Sequence, residues 1–299
     1  MKLPLVSLVM PTMNSERFIR ETLHSLIEQV YTNFELIVVD GGSTDDTLNI
    51  IERYSEGDIR VIELAPGLGI AKALNVGIEA TRGEFIARMD ADDIAYKWRI
   101  HDQVNFLVAD PEIDLIGTGV DAFWDHEGVF RSPKIHQDIQ DEFLVNNPFF
   151  HPTIMFRRVL ADSGLFRYDE THAFEEDYEL WGRLIPKVKC ANMDQSSIRY
   201  RIRANSTQWD PRKYRFKRRA LEGFCASIGL KNETLIDGLA EFQCGGYIRH
   251  HHYLVMRDYA RSASEQKLPR LGWLHEALLR ERDYSGFTAW FRAAKGWSA

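Results

Sequence analysis

The sequence predicts an α/β protein: a mostly parallel sheet flanked by helices, followed by an α-helical C-terminal subdomain. Three observations point there. Short apolar runs alternate with amphipathic stretches through the first hundred residues, each run ends in a polar turn, and the strand pattern stops after Pro211. With 299 residues, the chain suffices for one large domain or two small ones. The composition break divides it into an α/β domain over 1–210 and a helical subdomain over 211–299.

The strands come first. Residues 6–10 form an apolar run closed by Pro11, and 36–39 form a second ending at Asp40-Gly41-Gly42. Residues 59–62 are a weaker third, and 85–89 a fourth ending at Asp90. Such short β-rich runs read as buried strands. Between them, Ile19, Leu23, Leu26, Ile27 and Val30 share one face of a helix beginning near Ser15. Ser43 or Thr44 can cap the next helix, with Asp45 and Asp46 at the positive end of its dipole. Residues 71–80 supply a third. Strand–helix alternation implies a parallel sheet, and such sheets bind ligands beyond the carboxyl ends of their strands. Asp40 and Asp90 both stand there.

Beyond Asp110 the pattern loosens. Residues 113–117, 120–124, 153–156 and 198–202 read as strands, and 157–163 and 174–185 as helices. After Pro211, helical patterns cover 214–228, 233–242, 247–263 and 271–282.

Composition narrows the function. Lys and Arg number 37 against 44 Asp and Glu, a net charge of −7. That argues against nucleic acid as a partner, because duplex affinity rests on neutralising phosphates. Cys190, Cys225 and Cys244 are too scattered for a disulfide framework or a Cys-x-x-Cys site. No apolar run approaches the ~20 residues of a membrane span, and the chain leads directly from Pro4 into a strand, leaving no room for a secretory signal. The expectation is a cytoplasmic protein, peripheral at most to the inner face of a membrane.

The sharpest local feature is Asp90-Ala91-Asp92-Asp93. Three carboxylates in four residues repel unless a cation or donor network neutralises them, and oxygen ligands suit Mg²⁺ or Mn²⁺ beside substrate phosphates. A solvated acidic turn capping a helix through Tyr96 and Trp98 is the plain alternative. A phosphatase Asp-x-Asp nucleophile wants Thr or Val where Ile94 stands. A dinucleotide site fails locally, because Pro11-Thr12-Met13-Asn14 lacks the glycines of a pyrophosphate turn.

Taken in order, residues 6–14, 35–47, 67–75 and 83–93 resemble the motif series of family 2 glycosyltransferases, which have the GT-A fold. The resemblance covers roughly residues 4–205. It implies inverting transfer of a sugar from a nucleoside-diphosphate sugar, with UDP-sugars favoured, to a saccharide or lipid-linked acceptor in polysaccharide or glycolipid assembly. By the same resemblance, Pro11, Thr12 and Asn14 line the nucleotide, Asp40 accepts from the base, Lys72 approaches ribose or phosphate, Asp90 meets ribose or sugar, and Asp92 ligates Mn²⁺ or Mg²⁺. The stretch Phe174-Glu175-Glu176-Asp177 is similar to the family's acidic pair, making Asp177 the general base, with Glu176 near the acceptor. His151 borders the acceptor pocket or is structural before Pro152. Arg203 stands where many relatives carry His; it cannot ligate a metal but can grip phosphate. A sugar nucleotidyltransferase is a poorer match, lacking a Gly- and Lys/Arg-rich loop after the first strand, and a silent nucleotide-sugar-binding module is opposed by the intact Asp92 and Asp177.

The tail carries two further signals. Basic residues across 212–219, interleaved with Tyr214 and Phe216, form either a contact for an anionic membrane surface or lipid diphosphate, or a solvated helix face. His250-His251-His252 cannot easily converge on one metal, since consecutive helical residues face different directions. Leu271, Trp273, Leu274, Leu278, Leu279, Phe287, Trp290 and Phe291 suit internal packing, a homodimer contact or a membrane-facing stripe.

Overall fold

The computed structural model describes residues 3–54, 59–172, 174–203 and 212–244. The helices expected over 247–263 and 271–282, the His250–His252 run and the apolar tail lie outside them.

Chain order begins with β1 (Val6–Thr12), α1 (Ile19–Ile27), β2 (Phe34–Asp40), α2 (Thr47–Glu52), β3 (Ile59–Glu63), α3 (Gly69–Glu79) and β4 (Phe85–Arg88). It continues through β5 (Ile94–Ala95), α4 (Arg99–Ala109), β6 (Leu115–Trp124), β7 (Gly128–Phe130) and α5 (His136–Phe143). A 3-10 turn (His151–Thr153) then leads to β8 (Met155–Arg157), α6 (Val159–Asp162), α7 (Glu176–Leu184), β9 (Cys190–Ile202), α8 (Arg212–Ser227) and α9 (Glu233–Gln243). One nine-stranded sheet runs β3-β2-β1-β4-β8-β6-β9-β5, with β7 added to β6. The strands β1 to β4 are mutually parallel where they pair, and β8 joins β4 antiparallel.

Alternation along β1 explains the layers. Val6, Leu8 and Met10 pack with Ile19, Leu23 and Leu26 of α1, while Val9 faces the other way, toward Leu74 and Ile78 of α3. Both faces are buried, as in a parallel interior strand. The helix α3 lies close to the sheet because Gly77 is small: a Cβ there would strike Val9 and Val39. Leu221, Phe224 and Cys225 of α8 and Leu235, Ile236 and Leu239 of α9 share one cluster with Trp181 and Phe143, so the described helices beyond 211 complete the same core. Among the described residues, no helix is long and apolar enough to cross a membrane.

Several local expectations are corrected. Ile27 and Val30 are exposed, because Thr22 and Ser25 take the inward positions of α1. Thr22 uses its hydroxyl there, donating to the carbonyls of Ala91 and Asp93 at 3.0 and 2.8 Å. Neither Ser43 nor Thr44 caps α2; Asp45 accepts the Thr47 N–H at 3.0 Å instead. Asp93 caps no helix: residues 94–95 are a strand, and the next helix starts at Arg99. The runs 113–117 and 120–124 fuse into β6, and 198–202 is the end of the longer β9. Two helices escape pattern reading because polar side chains interrupt their buried faces, Arg99 and Gln103 in α4, Asp141 and Glu142 in α5.

Candidate active site

Parallel pairing brings Thr12, the end of β1, level with Asp40, the end of β2, and the Gly41 N–H donates to the Thr12 carbonyl at 2.8 Å. At this edge opens a cavity of about 340 Å³. Pro11, Thr12, Met13, Gly41, Gly67 to Ile70, Asp90, Asp92 and Arg203 line it. Five of the expected donor- and metal-binding residues thus converge: Pro11, Thr12, Asp90, Asp92 and Arg203.

Three others are not part of its lining and are engaged elsewhere. Both carboxylate oxygens of Asp40 accept from its own turn, Oδ2 from the Gly42 and Ser43 N–H groups at 2.9 and 2.8 Å and Oδ1 from the Ser43 hydroxyl. Asn14, at φ 51°, ties two loops together by accepting the Thr44 N–H at 2.8 Å while its own N–H reaches Ser43 Oγ at 2.9 Å. Lys72 turns to Glu170, 3.4 Å away.

The acidic turn is braced from below. Arg201, almost fully buried, donates Nε to the Asp92 carbonyl at 2.7 Å and its N–H to Asp93 Oδ1 at 2.8 Å. Arg203 lies 3.0 Å from Asp92 Oδ2. Even so, burial and then the charge of Asp90 push the Asp92 carboxyl above its usual range. Asp93 rises much further for the same reasons, in that order. Added positive charge is welcome at such a site, and the donor set, hard oxygens from one or two carboxylates, fits a divalent ion that also binds phosphates. No group of three or more His, Cys, Asp or Glu ligands occurs among the described residues, so protein carboxylates alone would not encage it.

A second cluster lies across Arg88. This buried guanidinium bonds Asp90 Oδ2 at 2.6 Å and also acts on Glu176. Beyond it, Asp177 Oδ2 accepts from Asn147 at 2.6 Å and Oδ1 from the Tyr178 N–H at 2.8 Å. Burial first, then Glu175, raises the Asp177 carboxyl. Glu176 is pushed up to about 7, by burial and then by Asp177. His151 bonds the Tyr168 hydroxyl at 2.7 Å through Nε2 and faces Glu176 at 3.8 Å through Nδ1. Burial and then Arg88 hold it well below the usual histidine range. Carboxylates raised in this way are better proton acceptors than ordinary ones.

Sequence reasoning missed Arg88, Asn147 and Tyr168. Arg88 alone left a trace, as a charge interrupting an apolar strand two residues before Asp90. Conversely, the basic segment is largely engaged within the fold. Lys213 and Lys217 reach Glu175, and Arg218 bonds Asp237, Glu222 and Glu233, while Arg215 and Arg219 are exposed.

Fold and cavity together define an α/β protein with an acidic site at the strand ends of its sheet. Residues 7–166 match the profile of glycosyl transferase family 2, and the chain belongs to that family. It is 26% identical over 260 residues to UDP-Glc:alpha-D-GlcNAc-diphosphoundecaprenol beta-1,3-glucosyltransferase WfaP of Escherichia coli, covering 82% of this chain and 95% of that protein. The fold matches S. aureus TarS 1-349 in complex with UDP-GlcNAc at a TM-score of 0.66 and 20% identity, over 98% of this chain and 92% of that one. It also matches mannosyltransferase PcManGT from Pyrobaculum calidifontis, in complex with GDP-Man and Mn²⁺, at a TM-score of 0.60 and 19% identity, over 96% and 84%. The fold is GT-A.

Proposed function

We propose that this glycosyltransferase inverts: it moves a sugar from a nucleoside-diphosphate sugar, UDP-sugars favoured, to a hydroxyl of a saccharide or lipid-linked acceptor in polysaccharide or glycolipid assembly. The observation that carries the reading is the raised Glu176–Asp177 pair, set across Arg88 from the Asp90 edge of the cavity. The UDP-sugar donor and lipid-linked acceptor in the name of WfaP, and the UDP-GlcNAc bound by TarS, support donor and acceptor classes.

In this reading the nucleotide enters over Thr12 and Gly41, and Arg203 grips the diphosphate. Asp177 removes the acceptor hydroxyl's proton as that oxygen attacks the anomeric carbon. The bond from that carbon to the diphosphate oxygen breaks, and the electron pair leaves with the nucleoside diphosphate. Arg88, bonded to Asp90 Oδ2, orients that carboxylate at the cavity. Asp92, with the donor phosphates, would hold Mn²⁺ or Mg²⁺, which supplies Lewis-acid stabilisation of the leaving diphosphate.

The test is a thermal-shift panel of UDP, GDP, dTDP and CMP nucleotides and their sugars, each with Mn²⁺, Mg²⁺ or EDTA. A ligand at a hundredfold excess over Kd stabilises by ~2.7 kcal/mol. A shift with one nucleoside diphosphate, lost with EDTA or in Asp92→Ala, and a product of inverted anomeric configuration by NMR are expected. Silence from well-folded protein across the panel overturns the reading. Release of pyrophosphate from a nucleoside triphosphate would replace it with a nucleotidyltransferase.

A further inference from the structure

Glu175, just before α7, sits in the left-handed region at φ 57° and ψ 37°. For a residue other than glycine this conformation is strained and persists only where the surroundings overdetermine it. Two amines from α8 do so. Lys217 Nζ is 2.9 Å from one carboxylate oxygen of Glu175 and Lys213 Nζ is 3.4 Å from the other. The Lys217 and Glu175 side chains are 13% and 15% exposed, so solvent screens the pair weakly. Lys217 Nζ also lies 4.7 Å from the centre of the Tyr178 ring, and the Tyr178 N–H holds Asp177. One cation therefore touches the residue before the acidic pair and the residue after it.

We propose that Lys217, assisted by Lys213, is a positioning residue for the transfer reaction: by pinning Glu175 in its left-handed turn it sets where the Glu176 and Asp177 carboxylates stand. The inference rests on the glycosyltransferase reading above and extends the active site to the helix α8.

The charges facing the pair make the role measurable. Asp177 feels Glu175, which raises it, and Lys217, which lowers it; it is linked to Glu176, and Tyr168 lies nearby. Glu176 feels Asp177 and Glu175 against Arg88. Removing Lys217 therefore moves the base upward, and removing the charge of Glu175 moves it downward. These shifts report the charges; loss of kcat at unchanged melting temperature, with rescue by Lys217→Arg, is what a bridge that only stabilises the fold would not show.

The experiment compares Lys217→Met, Lys217→Arg and Glu175→Gln with wild type in melting temperature, donor KM, kcat and the kcat–pH profile. In parallel, ¹³C-carboxyl NMR of Asp-labelled protein follows Asp177, assigned by its absence in Asp177→Asn. Lys217→Met is expected to lower kcat on the order of 10–100-fold with donor KM unchanged, and to move the acid limb to higher pH by roughly half a unit or more. Glu175→Gln is expected to move it to lower pH, and Lys217→Arg to restore most of the rate. One shared pH profile, with kcat falling only in step with melting temperature, overturns the proposal. Should wild type transfer no sugar, the functional reading fails, and the Asp177 titration still decides whether Lys217 governs the pair.

Discussion

The two edges of the central strands hold buried carboxylates in opposite states. At the edge where β1 begins, Glu35 is 3% exposed yet fully bonded. It accepts the Ser7 hydroxyl at 2.6 Å, the Arg82 N–H at 2.8 Å and the Arg82 guanidinium at 2.9 and 2.7 Å. Burial would raise its pKa, but these bonds outweigh it and hold Glu35 below the usual range. At the edge where β1 ends, Asp92, Asp93, Glu176 and Asp177 all lie above it, because burial and the neighbouring charges of Asp90, Glu175 and Asp177 exceed their few donors. One edge is built for stability. The other keeps charge under strain, the pattern expected where groups must bind cations or take protons.

The contrast breaks most sharply at Asp177. Asp177→Asn is expected to cost kcat about 10²–10⁴-fold, while a nucleotide-sugar thermal shift persists; unchanged turnover would remove Asp177 from the mechanism. At the opposite edge, Glu35→Ala is expected to cost about 2–3 kcal/mol at pH 7, read by urea denaturation. Because the folded pKa of Glu35 is depressed, its contribution is present above the unfolded value near ~4.3 and is lost as pH falls through the folded one. The variant should therefore converge on wild type in acid.

Glu176→Gln sharpens the same comparison with the reverse sign. Its folded pKa is raised to about 7, so its ionisation opposes folding as pH climbs from the unfolded value. The variant should melt higher than wild type above about pH 8, by ~2 kcal/mol in stability, with the gain vanishing near pH 4. A stabilised but less active enzyme is the expected outcome, checked by calorimetry across pH beside turnover. The smallest effect lies in the layer between the edges. Gly77→Ala presses a methyl against Val9 and Val39 and is expected to cost ~1 kcal/mol with kcat unchanged, measured as a lower denaturant midpoint.

Much of this was legible beforehand. The alternation of apolar runs and helices marks the parallel half of the sheet, since period and turn chemistry are local properties of the chain. The strand-end rule alone singles out Asp40 and Asp90, and of these Asp90 lines the cavity with Pro11 and Thr12. Asp40 and Lys72 show the limit, because a carboxylate or amine in the right segment can be claimed by a turn or a neighbour such as Glu170.

Chain order sets which residue types stand at which strand ends, and through them the class of chemistry. How charge is shared among them emerges only when the chain folds. Arg88 bridges the two clusters, Arg201 braces the acidic turn from 108 residues away along the chain, and Lys217 reaches back to Glu175. Side-chain protonation depends on burial and on charges a few ångströms distant, and no local pattern records which distant residues the fold will bring there.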